Sequence, residues 1–174
     1  MSTEKYAGVT QQAIDEGIVK IGIPAADGST MEWCFAKRVS TTHAKLMNCC
    51  VFSDAVNFGD IVEYRERSDD YGGPHELLKL FVRVVTRGST QCEFMYSTDA
   101  EARDKSPAMR DKLTHRLRKI RSTLDALPLD VRPICLEGLF AGYGCAAFPA
   151  TVAAEQAEQL VAACPFVLDQ HSEE

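Results

Sequence analysis

Six apolar side chains, Met109, Leu113, Leu117, Ile120, Leu124 and Leu127, recur at spacings of four, four, three, four and three. At 100° per residue they fall within a stripe of about 80°, the buried seam of an amphipathic helix. Ser106 supplies a capping oxygen, Pro107 suits the first helical position and Pro128 stops the run, so the pattern predicts a helix over 106–127. Its remaining surface carries Arg110, Lys112, His115, Arg116, Arg118, Lys119 and Arg121.

Upstream the period shortens to two. Strands are predicted over 18–23, 31–38 (Trp33 and Phe35 on one side), 44–48, 61–66, 77–85 and 91–96, with turns at Asp27-Gly28, Ser40-Thr41-Thr42 and 86–89. Residues 68–74, SDDYGGP, read as a loop, and 99–105 as a charged linker. Downstream, 132–139 and 143–148 are strand candidates. Pro149-Ala150-Thr151 is read as the cap of a second helix, whose apolar side is Ala153, Ala157, Leu160, Val161 and Cys164. The expected organisation is an arm (1–17), a β-rich, barrel-like part (18–97) and an α+β, ferredoxin-like part (98–174) with both helices on one sheet face. No repeat or low-complexity segment interrupts it.

Charge changes this picture more than composition does. The chain of 174 residues has a net charge of −6, with 45% hydrophobic and 25% charged residues, an ordinary globular balance. The helix 106–127 holds six Lys/Arg against Asp111 and Asp125, a net of +4, so the other 152 residues carry −10. A basic strip on an acidic protein points to docking rather than to broad nucleic-acid affinity. The polar beginning MSTEKYAGVTQQ and the lack of an apolar run near ~20 residues predict a cytoplasmic protein with no membrane span. The seven cysteines, with no C-x-x-C, are then expected to be reduced and structural.

Glu32, Trp33, Asn48, Phe52, Phe58, Gly59, Asp60, Ile61 and Val62 form a pattern, N-x-x-x-F…F-G-D-I-V after an acidic-aromatic strand. It resembles an uncharacterised family of small bacterial proteins, a domain of unknown function. The resemblance covers roughly 18–164 and implies a barrel-plus-α+β fold and no activity. The chain departs from it at Cys49-Cys50, where the family tends to have Pro-Phe.

Specific chemistry is sparse. Cys49-Cys50 with His43 is the nearest approach to a metal set, but adjacent strand residues point apart, so no metal is expected. His75 follows the glycine loop and, with Tyr71, marks where an enzyme site would assemble, yet no residue pattern pairs it with a nucleophile. Gly142-Tyr143-Gly144 lacks the third glycine of a dinucleotide fingerprint, and no cofactor is expected. No catalytic residue is assigned. The candidate binding residues are Asp69, Asp70 and Tyr71 in the loop and Arg110, Lys112, Arg116, Arg118, Lys119 and Arg121 on the helix. The function these features predict is non-catalytic macromolecule binding by charge-complementary docking. An inhibitor, immunity or anti-defence factor of bacterial or phage origin fits that description. The expected partner is another protein or a protein–nucleic-acid complex; a small enzyme near His75, or direct nucleic-acid binding through the helix, are the alternatives.

Overall fold

The computed structural model describes residues 16–67, 78–140 and 142–168. The fold is α+β, in two compact units, Met1–Gly88 and Ser89–Glu174.

In the first unit β1 (Ile18–Pro24), β2 (Met31–Arg38), β3 (His43–Leu46), β4 (Ile61–Arg67) and β5 (Leu78–Thr86) close into a barrel. Successive strands are antiparallel; because five is odd, the closing seam between β1 and β5 is parallel, at Gly22 and Leu80. Register shifts at Ile61/Val62 and Glu63/Tyr64 give β4 the extra curl that closure needs. Alternation sends Val19, Ile21, Ile23, Cys34, Ala36, Ala44, Leu46, Val62 and Tyr64 inward. Small residues meeting large ones fill so narrow a barrel without voids. Trp33 and Phe35 lie on the outer side of β2, as the alternation predicts; Trp33 is 38% exposed and Phe35 sits under the Lys20 ammonium, 5.0 Å from its ring centre.

In the second unit β6 (Ser89–Met95), β7 (Cys135–Phe140) and β8 (Tyr143–Pro149) form a sheet with β8 central, and both neighbours run antiparallel to it. β6 and β7 are therefore parallel to each other. The crossover that such a pair requires is made by α1 (Asp99–Arg103) and α2 (Pro107–Asp125). With α3 (Ala154–Ala162) after β8, the order is the β-α-β-β-α run of a ferredoxin-like unit. Cys92, Phe94 and Tyr96, Leu136, and Ala146 and Phe148 share one core with Leu113, Ile120 and Leu124 of α2 and Ala157 and Val161 of α3. Both long helices thus cover one sheet face.

Four expectations are corrected. The barrel has five strands, not six: β6 pairs with β8 instead of returning along β5, and the boundary falls at 88/89 rather than 97/98. The reason is apolar. Cys92, Phe94 and Tyr96 lie on the face that α2 covers, and turn chemistry at 86–89 cannot report a partner some fifty residues away. The stretch 99–105 contains a helix, started by a capping box in which Thr98 and Glu101 each satisfy the other's backbone N–H; it buries no side chain, so no periodicity announces it. Thr151 does not cap α3. Its N-cap is Ala153, which makes no side-chain bond, while Val152 N–H closes a turn on the Pro149 carbonyl at 2.9 Å. The third predicted strand shortens to His43–Leu46, which leaves Asn48, Cys49 and Cys50 in the loop that follows. The predicted arm is described only from Glu16, and the whole of the predicted loop 68–74 lies outside the described residues.

Candidate functional site

The cations of α2 divide by what they touch. On one flank Lys112 and Arg116 turn toward α1. Lys112 Nζ is 2.7 Å from Glu101 Oε1, and two N–H groups of Arg116 reach both oxygens of Glu101 at 2.7 and 2.9 Å. Arg116 also donates to the Tyr96 carbonyl at 2.8 Å and lies over the Phe166 ring, 5.8 Å from its centre. The Arg116 guanidinium first, then Lys112 and the Thr98 N–H, hold the Glu101 carboxyl down at about 2. On the other flank Arg121 donates to the Leu136 carbonyl of β7 at 2.6 Å. These three predicted binding cations brace the fold.

The outer ridge is different. Arg118 and Lys119, with His115 between them, and Arg110 on the Arg121 flank are exposed and make no ion pair among the described residues. The ridge stands on a helix whose opposite side is fixed by Leu113, Ile120 and Leu124. On α3 the exposed charges are Glu155 and Glu158, and no lysine or arginine follows Arg132 anywhere in the chain. One helix of the layer presents positive charge and the other negative.

The pattern that carried the family resemblance turns out to be architectural. Glu32 accepts the Val51 and Phe52 N–H groups at 2.9 Å, and Asn48 Oδ1 accepts Phe35 N–H at 2.7 Å. Asp60, fully buried, accepts N–H groups from Asn57 and Gly88 at 2.9 and 2.6 Å and pairs with Arg87 at 2.8 Å. Each polar side chain of the motif ties down backbone that the barrel leaves unpaired. The glycines belong to the same device: Gly59 has φ +77°, and a Cβ on Gly88 would sit 2.1 Å from the Gly59 carbonyl carbon.

Asp69, Asp70, Tyr71 and His75 lie outside the described residues. His43 does not meet Cys49 or Cys50. Its Nδ1 contacts the Ser40 and Thr42 hydroxyls at 3.0 and 3.1 Å, and Ser40 Oγ also accepts Thr42 and His43 N–H, a turn closure with no third group among the described residues to orient the ring. Cys50 instead meets Cys34 and Glu32: one ligand-capable atom from each lies within 4.8 Å of the others. Sequence reasoning missed this trio. The i, i+2 spacing of Glu32 and Cys34 on one strand signalled half of it, and the arrival of Cys50 from a loop signalled nothing.

The sheet face turned away from the helices carries a second unanticipated group. Glu93 and Glu137 flank Cys145 across the central strand, Tyr143 donates its hydroxyl to Glu93, and Cys135 Sγ contacts Glu137 at 3.5 Å. Each carboxylate there already holds a proton donor, and no histidine joins them among the described residues. All seven cysteines are thiols without a disulfide, and six are buried. Among the described residues no helix is long and apolar enough to cross a membrane.

No family model and no curated protein matches the chain. A solved structure described as a hypothetical protein from Neisseria gonorrhoeae is similar over 81% of this chain and 81% of that one, at 12% identity and a TM-score of 0.43.

Proposed function

We propose that this chain is a non-catalytic macromolecule-binding protein that docks by charge complementarity, with the ridge Arg118 and Lys119 and the exposed Arg110 as its principal contact. The observation that supports the reading most is the division of labour on α2: three cations serve the fold and three stand in solvent with no ion pair among the described residues. Unpaired charge on a rigid helix steers encounter and fixes orientation at low cost in side-chain ordering. Glu155 and Glu158 on the neighbouring helix repel a wrongly placed acidic partner and so narrow the geometry of approach. The partner is the acidic surface of another protein, and the biological use is stoichiometric blocking, as in an inhibitor or immunity factor. The resemblance to an uncharacterised bacterial family belongs to this proposal and adds no activity to it.

The test is capture from cell extract by three forms of the chain: wild type, Arg118→Glu/Lys119→Glu and Glu155→Lys/Glu158→Lys. The wild type is expected to retain a protein of low A260/A280 ratio that the first double variant loses and the second keeps or binds less selectively. A captured fraction rich in nucleic acid, lost with the same variant, would transfer the ridge to phosphate binding. Capture unchanged by both reversals removes charge as the mechanism.

A further inference from the structure

We propose that Cys34, Cys50 and Glu32 form a binding site for a thiophilic divalent cation of the zinc class, at one end of the barrel. Alternation along β2 places Glu32 and Cys34 on its inward side, two residues and about 6.7 Å apart. Cys50 comes to them from the loop after β3. The Val51 and Phe52 N–H groups that Glu32 accepts belong to that same loop, so they fix both the carboxylate and the thiol beside it. Oε2 accepts both N–H groups at 2.9 Å, while Oε1 takes only the longer branch from Val51 at 3.1 Å and keeps a lone pair for a metal; a ligand oriented by backbone N–H groups is what holds a coordination sphere in place.

The distances suit the ion. With metal–sulfur bonds of about 2.3 Å and metal–oxygen bonds of about 2.1 Å, ligands on a tetrahedron lie roughly 3.5–3.8 Å from one another. The three donor atoms are all within 4.8 Å of each other, so coordination requires sub-ångström to ångström adjustment of side chains rather than a new backbone path. Both sulfurs are fully buried and Glu32 is half-buried; the fourth position is left to water entering past Glu32.

On binding, both thiols release their protons to solvent, and two thiolates, one carboxylate and the ion leave a net charge of about −1, the same as the carboxylate beside two neutral thiols carries without the ion.

The test is a titration of the reduced, metal-free full-length chain with Co²⁺, followed by displacement with Zn²⁺. The expected result is a thiolate-to-cobalt absorption band that saturates at one equivalent and disappears on adding zinc. Cys34→Ser and Cys50→Ser should each abolish the band, Glu32→Gln should weaken zinc binding by about tenfold or more, and Cys92→Ser in the other unit should leave it unchanged. Should the buried serines unfold the barrel, the wild type answers alone. Zinc should then slow alkylation of Cys34 and Cys50 at least about tenfold, as read by peptide mass spectrometry, while Cys92 and Cys164 keep their rates. No cobalt band, a band that survives in both folded serine variants, or equal protection of all seven thiols would overturn the site and leave a hydrogen-bonded thiol pair in a packed core.

Discussion

Asp60 has no exposed surface, yet its carboxylate collects two backbone N–H groups and a guanidinium. Removing it takes this acceptor from the part-buried Asn57 and Gly88 N–H groups, at a cost of roughly 1–3 kcal/mol each. Asp60→Ala is therefore expected to destabilise the chain by about 3 kcal/mol in chemical denaturation; a loss under about 1 kcal/mol would show that water satisfies the turn. Glu101 makes a pH-dependent prediction. Its folded value of about 2 lies below the usual 4.5, so the ionised form is favoured in the folded state. Its contribution is complete above the unfolded value and is lost as pH falls from about 4.5 toward about 2. Glu101→Gln should flatten the acid limb of the stability curve in that window. An unaltered limb would mean that Arg116 and Lys112 do not hold the carboxylate in solution.

At the scale of elements, α2 is where sequence and structure agree most closely. Ile120 and Leu124 are buried on the predicted stripe, whereas Leu117 is only half-buried at its edge. Ile120→Ala or Leu124→Ala should cost about 2–5 kcal/mol and Leu117→Ala less, while Arg118→Ala stays within about ±0.5 kcal/mol. Equal losses for Ile120 and Arg118 variants would mean that the helix is rotated in its seat. This element was legible because a buried helix face writes a 3.6-residue period into the chain. The strands of the barrel were legible for the same reason at period two. The placement of β6 was not, since an alternating strand looks alike whether it pairs with β5 or with β8. α1 left a trace only in Thr98 and Glu101, because a five-residue helix with no buried side chain needs caps and no core. The candidate site was half legible. The cations of α2 can be counted in the sequence, but which of them bind Glu101 or the Leu136 carbonyl depends on α1 and β7, which only the fold brings within reach.

For the whole molecule, the proposed docking rests on the charge left over once the fold's own needs are met. The net of −6 conceals a basic ridge on α2 beside an acidic α3, and two oppositely charged helices on one sheet face give an approaching macromolecule a defined orientation. Surface charges are screened within about 10 Å at 0.1 M salt, so the proposed docking should weaken as salt rises. The most direct measurement is the affinity of the captured partner for wild type and for Arg118→Glu/Lys119→Glu over a salt series from about 0.05 to about 0.5 M. The wild type is expected to bind more weakly with each increase in salt. The double variant should bind at least about tenfold more weakly at the low end, with a shallower or reversed salt dependence and an unchanged denaturation midpoint. Equal affinities and equal slopes for the two proteins would contradict the account.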